Sequence, residues 1–223
     1  MQATLVIGNK NYSSWSLRPW LLLRHFGIVF EELRIPLNLS ETPPLLRELS
    51  PTGKAPVLLH DGRTIWESLA ICEYVNEVFL DVQGWPAGTG ARAHARSLAC
   101  EMHAGFSNLR GQWPMNLRRR GPMPINAALG QDLARIEIIW NECMETYGGP
   151  WLFGGFSIAD AMFAPLALRL YCCQPPLSEA SAGYVLKILE HPAIMDWLAA
   201  ARLETEVLQE SEAAYRLAEP GNC

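Results

Sequence analysis

The stretch SPTGKAPVLLHDGRTIWESLAICEYVN, running from Ser50 to Asn76, limits the fold more than any other part of the chain. Val57, Leu58 and Leu59 form one short apolar strand, and Thr64, Ile65 and Trp66 return as a second. Asp61-Gly62 between them is a strong hairpin signal, because a two-residue turn needs residues that accept positive φ. At Glu67-Ser68 the pattern switches abruptly. Leu69, Cys72, Val75 and Asn76 recur at three and four, which is the spacing of one helix face. Pro56 enters the first strand directly, although proline cannot donate to a sheet ladder. Two geometries accommodate it: a cis Ala55-Pro56 bond, or a trans proline on an edge strand.

Upstream, Thr4 to Gly8 reads as a short apolar strand, followed by a polar loop from Asn9 to Ser16. Leu17 to Phe26 reads as a helix stopped by Gly27. Pro19 confines the start of that helix, since proline is accepted in the first turn, and this puts the cap near Ser16 or Trp15. Ser13 then lies in the loop facing the positive helix end. Val29 to Leu37 reads as a second strand, and Thr42-Pro43-Pro44 opens a short helix to Leu49. The order is β-α-β-α-β-β-α within residues 1–80, and helical crossovers imply a mixed sheet.

Residues 81–91, rich in Gly and Pro, read as a linker. Beyond them, 92–223 carries no strand pattern. Arg92 to Arg119 is expected as one long helix that Pro114 kinks or breaks. Ile125 to Tyr147 is expected as a second, with Leu129, Leu133, Ile136 and Trp140 on one face. Ser157 and Asp160 form a capping box at the start of a buried helix, with Phe156 as a staple. Shorter helices are expected at 180–190 and 192–203. From Glu204 the tail has five acidic residues and one arginine, and reads as a surface segment.

With 223 residues the chain has ample length for a core, and 49% hydrophobic against 18% charged residues is ordinary for a globular protein. A net charge of −5 argues against a nucleic-acid groove. The first residues lack the basic and long apolar segments of a signal peptide, and no apolar run approaches the roughly 20 residues that span a bilayer. Cys72, Cys100, Cys143, Cys172, Cys173 and Cys223 show no metal-ligand spacing, and are expected as reduced thiols of a cytoplasmic protein with no metal.

Two motifs in order resemble the cytosolic glutathione S-transferases. That family carries G-x-[VA]-P-x-L followed by [ED]-S-x-A-I, here Gly53-Lys54-Ala55-Pro56-Val57-Leu58 and Glu67-Ser68-Leu69-Ala70-Ile71. The resemblance implies a thioredoxin-like glutathione-binding domain over 1–80 and an all-helical domain over 92–223. It also implies glutathione as co-substrate. Ala55 and Pro56 would then offer the tripeptide a strand-like edge. Ser68 at a helix N-terminus would hold the γ-glutamyl carboxylate, Glu67 the ammonium and Lys54 the glycyl carboxylate. Serine-type members carry S-x-x-x-x-R, matched by Ser13 and Arg18. Ser13 is therefore the group expected at the sulfur, with Ser14 and Tyr12 as alternatives and Arg18 as a structural ion-pair residue. The zeta-class pattern S-S-C-S-x-R is nearest, but Trp15 stands where that class has cysteine, which puts maleylacetoacetate isomerase activity in doubt.

The second substrate, a small electrophile, is expected between the domains, against Tyr12, Trp15, Phe106, Arg110 and Trp113. Family members pair the small domain of one chain with the helical domain of another, so a homodimer is expected, without membrane or nucleic-acid partners. The alternatives are a glutathione-dependent isomerase or dehalogenase using the same thiolate, and a non-catalytic module of this fold that binds protein partners.

Overall fold

A computed structural model describes residues 3–37 and 42–216. Its elements run β1 (Ala3–Ile7), α1 (Ser14–His25), β2 (Phe30–Arg34), α2 (Thr42–Leu49), β3 (Val57–His60), β4 (Arg63–Trp66) and α3 (Ser68–Phe79). This is the β-α-β-α-β-β-α order of a thioredoxin-like unit. Seven helices follow: α4 (Thr89–Ala104), α5 (Ser107–Gln112), α6 (Ala127–Tyr147), α7 (Ile158–Cys173), α8 (Glu179–Leu189), α9 (Pro192–Leu203) and α10 (Gln209–Arg216). The sheet order is β2-β1-β3-β4, with β1 and β2 parallel and the other pairs antiparallel.

Period-two alternation decides which helix covers which face. Leu5, Ile7 and Leu58 belong to the main core, which α1 and α3 share, whereas Val6 and Val57 pack with Leu46 of α2 on the opposite face. The hairpin turn is as expected, with Asp61 at φ 51 and Gly62 at φ 71. Ala55-Pro56 is cis, as is Gly149-Pro150. Gly84, between α3 and α4, donates its N–H to Asn76 Oδ1 at 2.7 Å, and an added Cβ would stand 2.8 Å from that oxygen, so a side chain there would displace this contact.

Four boundaries differ from expectation. The helix α1 begins at Ser14, three residues before Leu17, and Pro19 lies inside it. The turn that precedes it supplies the reason: Tyr12 and Ser13 donate to Asn9 O at 3.2 and 2.7 Å, and Leu17 N–H donates to Ser13 O. These bonds open the helix at Ser14 and leave Pro19 in its second turn, where it removes one intrahelical bond. The strand β2 is shorter than Val29 to Leu37. The helix α4 opens at Thr89, inside the expected linker, and the expected long helix breaks at Gly105-Phe106 as well as before Pro114, where α5 ends at Gln112. Phe106 takes the left-handed conformation at φ 58 while Arg110 Nη2 reaches back to the carbonyls of Met102 and His103, satisfying the loose end of α4. The tail is not a free surface segment. It returns along the loop after β1 and forms α10; Glu219 and Cys223 lie outside the described residues. Cys72, Cys143, Cys172 and Cys173 are buried free thiols, and burial pushes the first three up to about 12.

The C-terminal end of α1 meets the start of α9 through two imidazoles. His25 Nδ1 lies 2.9 Å from His191 Nε2, and the His25 ring stacks on Phe156 at 3.8 Å. Burial, and then the neighbouring His191, lower the His25 pKa from 6.5 to about 4. The fold therefore favours neutral His25. This contribution to stability is complete above about pH 6.5, the unfolded value, and is lost as pH falls through 4. The thermal midpoint is expected to decline between pH 6.5 and 4. His25→Phe, which keeps the stack, should make that decline shallower in calorimetry. An unchanged profile would remove His25 from the account.

Candidate functional site

The turn before β3 and the turn into α3 face each other across a cavity of about 170 Å³, lined by Trp15, Thr52, Lys54, Ala55, Pro56, Glu67 and Ser68. All five residues expected to hold the tripeptide meet here, together with Trp15. Thr52 is an addition that no motif signalled. Glu67 sits at φ 69, ψ 125, just outside α3. A non-glycine residue held there costs of order 1–3 kcal/mol, a strain that concentrates at functional positions. The twist sets Ser68, 1% exposed, at the helix N-terminus, and leaves the Glu67 carboxylate open to solvent 3.6 Å from His103 Nε2.

Behind Ser68 lies Arg18, also 1% exposed, donating from Nη1 to Ser68 Oγ at 3.3 Å. The ion pair expected of Arg18 is not formed among the described residues. Glu67, the acid next to Ser68, is turned outward by its own backbone and meets His103 instead. Arg18 lies against Trp15, 4.3 Å from the ring centroid, and Arg110 lies 4.7 Å from the same ring. Burial first, then repulsion from Arg110 and Arg169, holds the Arg18 pKa well below the usual arginine range. Arg169, wholly buried on α7, is lowered to about 10, chiefly by burial and then by Arg110. None of these three guanidinium groups is in a salt bridge among the described residues, and Nε of Arg18 and of Arg110 are buried without partners. The site is a cationic concavity in a chain of net charge −5.

Ser13 is not in the lining of this cavity. It is buried, with Oγ 2.7 Å from Ser16 Oγ, which itself accepts the Gly8 N–H at 3.0 Å. The two alternatives are engaged elsewhere. Ser14 Oγ accepts from Arg169 Nη2 at 3.1 Å. Tyr12 donates its hydroxyl proton to Glu212 Oε1 at 2.6 Å and accepts from Arg118 Nη2 at 2.7 Å; burial and then the Glu212 carboxylate raise its pKa.

Of the five expected walls for a second substrate, Trp15 and Arg110 come together at the cleft. Tyr12, Phe106 and Trp113 are buried, with the Trp113 carbonyl accepting from Arg169 Nε at 2.9 Å. His103, edge-on to Trp15 at 5.2 Å, was not anticipated. Burial, followed by Arg18, lowers its pKa against the pull of Glu67. Arg169 had a signal in the sequence: it is the one charged residue after Asp160 in an otherwise apolar helix.

Comparison with known proteins bears on this geometry. The family model described as glutathione S-transferase, N-terminal domain, matches residues 12–78. A probable maleylacetoacetate isomerase of Caenorhabditis elegans is 29% identical over 70% of this chain and 73% of its own length. A probable glutathione transferase of Aplysia californica is 34% identical over 30% of this chain and 71% of the relative. Several other curated relatives are matched over only 25% to 38% of their length. Among solved structures, a glutathione transferase homolog from Burkholderia with bound glutathione superposes with a TM-score of 0.69 at 26% identity, covering 91% of this chain and 98% of that one.

A buried cation without an acid partner is a stability cost. Arg18→Met, close in volume, is expected to leave the urea midpoint unchanged or to raise stability by up to about 2 kcal/mol. A loss above about 1 kcal/mol would instead make the Ser68 contact a structural support.

Proposed function

The chain belongs to the glutathione S-transferase family, and on that premise we propose how it works: it binds glutathione at Ser68, ionises the thiol beside Ser13, and delivers the thiolate to a small electrophile. The observation that carries this reading is the shared cavity of Lys54, Ala55, Pro56, Glu67 and Ser68 with Arg18 behind it. Glutathione has two carboxylates, one ammonium and one thiol. Its γ-glutamyl carboxylate meets the Ser68 N–H and hydroxyl at the start of α3, reinforced by Arg18. Glu67 takes the ammonium, Lys54 the glycyl carboxylate, and Ala55 the cysteinyl backbone.

A free thiol with pKa near 8.5 is only a few per cent thiolate at pH 7. Lowering that pKa by one or two units needs roughly 1.4–2.7 kcal/mol. The Ser13–Ser16 pair supports Ser13 as the donor. If the Ser16 hydroxyl donates to Ser13 while accepting the Gly8 N–H, the Ser13 proton is left for sulfur. The start of α1 and the unpaired guanidinium groups add a positive field in a poorly solvated site. Ser13 is a hydrogen-bond donor here, not a nucleophile. The electrophile lies against Trp15 and Arg110. Isomerisation by the same thiolate is the second reading, favoured by the maleylacetoacetate isomerase relative that spans most of the chain.

We further propose residues 1–80 as the glutathione-binding domain, 81–91 as the linker and 92–223 as the helical domain, in a cytoplasmic homodimer without a metal. Sedimentation at micromolar concentration should give twice the chain mass; a single-chain mass would refute the dimer. Among the described residues, no helix is long and apolar enough to cross a membrane.

Ser68→Ala is expected to weaken glutathione binding by about 1–3 kcal/mol in calorimetry, and an unchanged affinity would remove Ser68 from the site. Ser13→Ala should keep affinity nearly intact while turnover falls by about one to three orders of magnitude. The thiolate absorbance of bound glutathione should titrate at higher pH. Equal thiol pKa values in variant and wild type would sink the assignment of Ser13, and a severe effect of Ser14→Ala or Tyr12→Phe would replace it.

A further inference from the structure

The loop between β1 and α1 carries Ser13, and its backbone lies outside the strand ladders; the Lys10 side chain ties it to Glu32 of β2 at 2.7 Å. Its own bonds close a small turn on Asn9 O. The peptide N–H groups of Lys10 and Asn11 both donate to one carboxylate, that of Glu204: Lys10 N to Oε1 at 2.7 Å and Asn11 N to Oε2 at 2.9 Å. The Glu204 side chain is only 7% exposed, and Arg34 Nη1 lies 3.5 Å from its Oε1. The carbonyl of Lys10 accepts from Trp197 Nε1 at 2.9 Å, so the end of α9 grips this part of the loop from both sides. Arg118 then ties the backbone carbonyls of Glu204 and Glu206 to the Tyr12 hydroxyl.

We propose that Glu204 is a positioning residue for thiol activation: its two oxygens fix the Lys10 and Asn11 peptides and thereby set where Ser13 Oγ stands. This rests on the reading of Ser13 given above. A carboxylate is the group the geometry requires. Two N–H donors converge, and an ionised carboxylate offers an acceptor to each, in charge-assisted bonds stronger than those between neutral groups. Glutamine has the same shape but one acceptor and one NH2, so it serves one amide and opposes the other. Burying a charge this deeply is unfavourable unless it is paired and hydrogen-bonded, which makes a mere packing role a poor account of a glutamate here.

Glu204→Gln separates the two roles, because it keeps every methylene contact. In the full chain, glutathione affinity is expected to stay within about threefold, since the cavity at Ser68 is untouched. Turnover should fall about 10- to 100-fold, the scale of a misplacement near 1 Å. The bound thiol should titrate at higher pH, and hydrogen exchange at the Lys10 and Asn11 amides should quicken while the unfolding midpoint moves little. The double variant Ser13→Ala/Glu204→Gln should be no slower than Ser13→Ala alone, because Glu204 acts through Ser13. Wild-type turnover and thiol pKa in Glu204→Gln would overturn the proposal, as would multiplicative losses in the double variant. If Ser13→Ala is silent while Glu204→Gln shifts the thiol pKa, the Ser13 assignment falls and positioning stands through another donor of the loop. If Ser13→Ala shifts it and Glu204→Gln does not, positioning falls and Ser13 stands. If both are silent, both are overturned.

Discussion

Burial of α7 on every side is the constraint that the rest of the molecule answers to. Fifteen of its residues are buried, and α1, α4 and α8 pack around it. A helix so enclosed cannot leave its first turn unsatisfied, because water does not reach it. Asp160 solves this from inside. Its carboxylate accepts from Leu152 N–H, Ser157 N–H, Ser157 Oγ and Tyr184 OH, at 2.9 to 3.1 Å. Burial outweighs these four donors and raises the Asp160 pKa to about 6. The group that joins Leu152, Ser157 and Tyr184 to α7 is therefore held at an electrostatic cost, and the apolar bulk of α7 offsets it.

The same arrangement explains how a cationic cleft is tolerated. Arg18 on α1 and Arg169 on α7 are buried where these two helices and α5 converge, near Trp15. Guanidinium groups are weakly hydrated and stack on aromatic rings, which makes arginine less costly to bury than lysine. Arg169 is further satisfied by the Trp113 and Pro165 carbonyls and by Ser14. Such a field is poorly compensated in the free protein, and an anionic ligand is the partner that would compensate it.

Much of this was legible in the sequence because it is local. Asp61-Gly62 predicts the hairpin by turn chemistry, Ser68 marks the start of α3, and residues 54–68 contribute the cavity almost contiguously. The failures are tertiary. Pro19 argued for a later α1, and a turn closing on Asn9 overrode it. Pro114 marks the end of α5, but nothing local marks the earlier break at Gly105-Phe106, which is sealed by Arg110, a residue one turn further on. His103 and Arg169 reach Trp15 and Ser14 only through the packing of helices. Tyr12 and Trp113 have the composition of a pocket wall but are buried, Tyr12 beneath the returning chain. The acidic tail read as solvated from composition alone, yet Glu204 and Glu212 each hold a buried partner in the loop after β1.

That return has a consequence for biosynthesis. The sheet-bearing half is made first, and its strand pairings need only contacts within residues 3–66. The loop beside its cleft, however, is held by an acceptor 194 residues further along. During translation the strands and hairpin can pair while this loop waits, unpaired, for Trp197 and Glu204 to emerge. At about 5–20 residues per second the stretch from 66 to 204 takes of the order of 7–28 seconds. Over that time the fold is present and the geometry of its loop is not, so the competence of the earliest segment is set by one of the last to be synthesised.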